Sequence, residues 1–176
     1  MWEVTHTFAE AGNYKIWTDV KWRGVSYSFG HPLLSVIGNA AGNGKISKPA
    51  AGAAKSRYQV TFKHSEPLAT DRTNQLQFSI HDPSGNPVET ENFLGAPMHL
   101  VIVKDDLSVY LHAHPESRGA PSSPIQFTQS FNQEGNYKLF AQFRPKNAKL
   151  PEGETILEEF PVTVGGLRPA SDSVIK

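Results

Sequence analysis

Gly95–Pro115 reads GAPMHLVIVKDDLSVYLHAHP, two short apolar runs either side of a pair of aspartates. Met98–Lys104 and Leu107–His114 have the length and the β-branched and aromatic content of strands, and Asp105-Asp106 has the chemistry of a tight turn. A two-residue turn pairs Lys104 with Leu107 and, running outward, Val103 with Ser108, Ile102 with Val109, Val101 with Tyr110, Leu100 with Leu111 and His99 with His112. Side chains alternate across a sheet, so His99, His112 and His114 fall on one face. Directly opposed residues have Cβ atoms about 4.5–5.5 Å apart, with His114 one diagonal step away. Three imidazoles within reach of one ion make this hairpin the candidate site, and the remaining sequence reads as its scaffold.

Outward from the hairpin, the same alternation recurs. Tyr58–His64 places Tyr58, Val60 and Phe62 inward, and Gln75–His81 does so with Leu76, Phe78 and Ile80. Asp82-Pro83-Ser84-Gly85-Asn86 is a turn in which proline presets φ and glycine supplies positive φ. Ile125–Phe131, Tyr137–Arg144 and Phe160–Val164 continue the series, with Phe127, Tyr137, Leu139 and Phe143 as core residues. Seven strands, no helical period and frequent turn signals predict an all-β fold, an antiparallel β-sandwich over residues 56–165, with an open barrel as the rival. Residues 166–176 read as a disordered tail.

The chain also resembles itself. Thr5–Trp17 is THTFAEAGNYKIW and Thr128–Phe140 is TQSFNQEGNYKLF, with Gly-Asn-Tyr-Lys intact in both. Each copy runs on into further β-like sequence, Lys15–Trp22 with Val25–Ile37 and Lys138–Arg144 with Thr155–Val164. Four strand-like segments precede the second copy and none precedes the first. Residues 1–37 are therefore expected to be the last three strands of a partial β-domain, the chain being a fragment of a longer two-domain protein or a short form that packs those strands on the complete domain. Residues 38–55, rich in Gly, Ala and Lys, read as a flexible linker. Gly42-Asn43-Gly44-Lys45 within it lacks the spacing of a phosphate loop.

Composition narrows function. Lysine plus arginine and aspartate plus glutamate number 17 each, a balance that argues against nucleic acid as a partner. Without cysteine, thiolate metal sites and thiol nucleophiles are excluded. No apolar run approaches the roughly 18 residues of a membrane span, and Met1 leads straight into strand-like sequence rather than a signal peptide. No serine sits in a nucleophile elbow and no carboxylates pair in a defined setting, so no enzyme is expected. Nitrogen ligands alone favour copper or zinc, held by His99, His112 and His114. Alternation points Met98 away from them, while His64 and His81, at strand ends, are further candidates to close the set. His6 and His31 read as solvated or turn histidines. In the competing reading the face shared with Val101, Val103 and Tyr110 is core, and its histidines serve the fold through hydrogen bonds.

The hairpin with its His-x-His-Pro ending, followed by the Gly-Asn-Tyr-Lys-Leu strand, resembles exported bacterial proteins related to the YtkA-like and copper-resistance sandwich families. The resemblance covers roughly residues 56–165 and is echoed at 1–37. It implies an immunoglobulin-like or cupredoxin-like sandwich, periplasmic or extracellular, in some members tethered to a membrane, and associated with heavy-metal handling. Residue by residue it reaches His99, His112 and His114. The expected function is a non-catalytic copper or zinc carrier or sensor, with the metal ion as ligand and another β-sandwich domain or a membrane-bound protein as partner. The alternative is a structural or interaction module.

Overall fold

The computed structural model describes residues 3–38, 57–116, 123–146, 148 and 150–166. The expected tail beyond Gly166, and the expected linker beyond Gly38, lie outside the described residues. The chain divides into two compact units, Met1–Ala51 and Gly52–Lys176.

In the second unit, alternation becomes two antiparallel sheets. β5 (Gln59–His64), β6 (Thr73–His81) and β9 (Ile125–Ser130) form one, in the order β5-β6-β9; β7 (Met98–Lys104), β8 (Tyr110–Ala113), β10 (Gly135–Phe143) and β11 (Ile156–Val164) form the other, in the order β11-β10-β7-β8. Leu76, Phe78 and Phe127 from the first meet Met98, Leu100, Ile102, Tyr137, Leu139 and Phe143 from the second in one apolar cluster. These nine side chains are almost wholly shielded from solvent, and burying aromatic and branched side chains contributes roughly 1.5–3 kcal/mol each. Phe78 packs edge-on against Phe127, with ring centroids 5.7 Å apart. The fold is all-β and antiparallel, as the alternation predicts. β11 spans Ile156–Val164, matching the Thr155–Val164 run read as β-like and starting four residues before the shorter Phe160–Val164 segment.

The hairpin register differs from the expectation. The observed pairs are Leu100↔Ala113, Val101↔His112, Ile102↔Leu111 and Val103↔Tyr110. The link is the four residues Asp105–Ser108, closed by Lys104 N–H to Val109 O at 3.0 Å. Three local features displace the two-residue turn. Asp105 N–H donates to Asn136 O on β10, Leu107 takes the left-handed conformation at φ 61°, and the Asp106 carboxylate accepts the Ser108 N–H at 2.9 Å. The hydroxyl and backbone of Ser108, with Lys104, hold the Asp106 carboxyl at about 2. The slip is two residues, an even number, so every side chain keeps its face.

Among the described residues of the first unit there are four short strands where three were expected. β1 (Gly12–Tyr14) pairs with β4 (Leu34–Val36), and β2 (Trp17–Trp22) pairs with β3 (Val25–Gly30). Its contacts repeat those of β10 and β11. Gly12↔Val36 and Asn13↔Ser35 match Gly135↔Val164 and Asn136↔Thr163. Ser35 donates to the Asn13 side chain at 2.7 Å as Thr163 does to Asn136 at 2.9 Å. Tyr14 donates its hydroxyl to Glu10 O at 2.7 Å and Tyr137 to Gln133 O at 2.8 Å, each four residues upstream. Such a tyrosine corner fixes the entry of a strand into a sandwich. Phe8 lies on Tyr14 and Phe131 on Tyr137, with centroids 4.5 and 5.1 Å apart.

Candidate metal centre

The outward face of the four-stranded sheet carries the histidines. Met98, Leu100 and Ile102 take the core side of β7, which leaves His99, Val101 and Val103 on the other. On β8, His112 faces Val101; one step beyond the Leu100↔Ala113 pair, His114 reaches the level of His99. The pairing of His99 with His112 expected from a two-residue turn is therefore replaced by a diagonal contact. The even slip keeps all three rings together. Their centroids are 5.5 Å apart for His99–His112, 5.4 Å for His99–His114 and 4.8 Å for the stacked His112–His114 pair. One ligand nitrogen from each lies within 4.8 Å of the others. The cluster runs from interior to surface: His99 is buried, His112 half-buried and His114 exposed. Met98, fully buried on the core side, stays outside it.

His64 and His81 do not join. His64 lies beside the Ser65 carbonyl at 2.8 Å and packs on Phe62, on β5 of the opposite sheet. His81 ends β6. In the first unit, His31 Nε2 meets the Thr18 hydroxyl at 3.0 Å and His6 packs edge-on against Phe8.

A residue that sequence reasoning passed over sets the chemistry of His99. Its Nε2 lies 2.7 Å from the carbonyl oxygen of Phe93, and the Phe93 ring meets it edge-on at 6.1 Å. A carbonyl only accepts, so Nε2 carries the proton and the neutral ring presents a bare Nδ1. That nitrogen lies 3.2 Å from His112 Nε2. With Nδ1 of His99 as the acceptor, His112 Nε2 is the donor of this hydrogen bond, and an ion held by both nitrogens would displace that proton. A metal 2.0–2.1 Å from both would subtend roughly 100° at the ion, between the square-planar and tetrahedral angles. The pair thus fits a copper or zinc ion. The third nitrogen must close by about 1 Å or more to match tetrahedral spacing. His114 lies at the exposed end of the cluster.

Phe93 is delivered by a two-residue hairpin turn. Leu94 and Gly95 have φ of 49° and 90°, the pattern of a primed turn, and Phe93 and Ala96 exchange both backbone hydrogen bonds. The Leu-Gly pair before Ala96-Pro97 was the available signal. The strap leading to this turn is tied to the segment that follows β10. Glu91 N–H donates to Arg144 O, Lys146 N–H to Glu89 O, and the Arg144 Nε to the Glu91 carboxylate. Arg144 also donates to the carbonyls of Leu150, Pro151 and Glu154. A metal ligand whose second nitrogen is held by a carbonyl is the usual outer-shell arrangement for histidine.

No curated protein matches the chain. Among solved structures, a copper-bound variant of FetP from uropathogenic Escherichia coli is similar at 13% identity and TM-score 0.38, over 68% of this chain and 92% of that one. FetP of the same bacterium as isolated, after recombinant expression in the E. coli periplasm, is similar at 12% identity and TM-score 0.38, over 67% and 95%. Residues 53–165, the whole sandwich with its histidine hairpin, match the family model described as Domain of unknown function (DUF8832), and the chain belongs to that family.

Proposed function

We propose that the sandwich binds one copper or zinc ion through His99, His112 and His114 and serves as a carrier or sensor outside the cytoplasm, without catalysing a reaction. The observation that carries this is the His99 Nδ1–His112 Nε2 pair at 3.2 Å, with the His99 tautomer set by the Phe93 carbonyl. Two imidazole nitrogens at that spacing, once the proton between them is displaced, match the ligand separation around a four-coordinate ion. Imidazole is a ligand that both metals accept, and the set contains neither thiolate nor carboxylate. The resemblance of the hairpin to exported heavy-metal-handling sandwiches supports the location and the role, and gives the reading of a membrane tether and a membrane-bound or β-sandwich partner.

One observation favours the fold-serving alternative. His99 is only 5% exposed, and both of its nitrogens have partners within the protein. Chelator-competition titration with Cu(I), Cu(II) and Zn(II), on the protein and on His112→Ala, separates the two. Metal binding at one equivalent, weakened by the substitution, is expected. Equal binding by both proteins would remove the site.

A further inference from the structure

The first unit exposes the face that its counterpart buries. Counting from the paired tyrosines, Ile16 corresponds to Leu139 and Val20 to Phe143. Leu139 and Phe143 are 0% exposed beneath the β5-β6-β9 sheet, whereas Ile16 is 40% and Val20 43% exposed. The β2–β3 register extends the face. Val20 opposes Tyr27, Trp22 opposes Val25 and Thr18 opposes Phe29, so these six residues share one side. Trp22 is 63%, Phe29 54% and Val25 52% exposed. Asp19 and Lys21 alternate to the other side, where Ser28 donates to Asp19, and at the turn the Arg23 guanidinium lies over the Trp22 ring, 5.6 Å from its centroid.

We propose that this face is an interface between two copies of the chain, packed hairpin on hairpin. The area supports a second copy. The exposed fractions of Ile16, Val20, Trp22, Val25, Tyr27 and Phe29 amount to roughly 600 Å² of apolar surface, at the top of what a monomer's largest patch reaches. Two such faces remove about 1,200 Å² from water, within the range of specific interfaces. A two-fold axis sets the same patch against itself, and the six strand side chains of the face carry no charge, so stacking them brings no like charges together, with Arg23 at the turn packed on Trp22. A two-stranded ribbon is marginal alone, and a second layer gives it the two-sheet packing that β10 and β11 have in the other unit. Trp22, Tyr27 and Phe29 are the residue types that dominate such contacts.

Sedimentation velocity of the full chain tests this, from about 1 to 100 µM. A dimer is expected, and Trp22→Glu should weaken it at least tenfold, while Lys21→Glu on the opposite side leaves it unchanged. Because the chain has no cysteine, single-cysteine variants report the face directly. Val20→Cys should form a disulfide-linked dimer on mild oxidation far faster than Lys21→Cys. A monomer throughout the range overturns the proposal. So does a dimer indifferent to Trp22→Glu, or one in which both cysteine variants cross-link alike.

Discussion

Arg144→Lys tests whether the strap that carries Phe93 is held from the residue that follows β10. The guanidinium donates to the carbonyls of Pro151 and Glu154 at 2.7 Å each and of Leu150 at 3.0 Å, besides its pair with Glu91, and its side chain is only 18% exposed. Lysine keeps the charge but loses the planar fork, and one ammonium group cannot reach acceptors spread over five residues of loop. Two or three charge-assisted bonds are lost, each worth about 1.5–3 kcal/mol where the acceptor stays dry. Water recovers part of this, because the bond to Pro151 lies at the exposed edge. The net expectation is about 2–4 kcal/mol lost, a large fraction of the 5–15 kcal/mol of a whole domain. Urea denaturation should show a lower midpoint at unchanged slope, and Tm should fall by roughly 10 °C. Amide exchange should quicken at Glu91 and Phe93, and metal affinity should drop about tenfold through the loosened carbonyl. A stability within 1 kcal/mol of the parent protein would refute the assignment of Arg144 as the clamp.

His112→Ala should remove most of the metal-induced rise in Tm. At free metal of about 100 Kd, binding adds about 2.7 kcal/mol to the parent protein, and hundredfold weaker binding leaves about 0.4 kcal/mol. His64→Ala, on the other sheet, should keep the full rise, and scanning calorimetry with and without metal decides it. Asp106 is held at about 2 by Ser108 and then Lys104. A depressed carboxylate stabilises the fold above its unfolded value of 3.8 and ceases to do so as pH falls from there through about 2. Carboxyl ¹³C titration should place its midpoint near 2, and Ser108→Ala should move that midpoint up toward 3.8. Tyr137→Phe leaves the Gln133 carbonyl without its donor in a site 1% exposed, for a loss of about 1–2 kcal/mol in chemical denaturation. Tyr14→Phe breaks the same bond at an exposed position and should cost under about 0.5 kcal/mol.

The alternation of apolar residues carried the sandwich, because a half-buried strand must repeat with period two whatever its partner. That pattern placed Leu76, Phe78, Phe127, Tyr137, Leu139 and Phe143 in the core before any pairing was known. Loop length was not legible. Asp105-Asp106 has turn chemistry, but Asp105 is drawn to Asn136 on β10, and a residue as unremarkable as Leu107 takes the positive φ. Both are decided by tertiary contacts rather than by the local pair. The role of Phe93 was hidden for a related reason: its backbone oxygen carries it, and a carbonyl leaves no trace in residue type.

The site survives the wrong register because of where its specificity lies. A one-residue slip would send His112 and His114 into the core and Leu111 and Ala113 outward, which burial forbids. A two-residue slip costs only the identity of the opposed pair, since the rings stay on one face and long side chains span the diagonal. Shared sidedness is therefore fixed by the hydrophobic pattern of β7 and β8, while convergence is set by the strap. His99 is the ring whose orientation matters, being buried and hydrogen-bonded on its far nitrogen. His114 lies at the exposed end and, on the proposed reading, is the ring that adjusts to the ion the other two hold. On that reading, a cluster graded in this way from buried to exposed would hold an ion with its inner pair and admit or release it on the His114 side, the order of events a carrier needs and a sealed structural site does not.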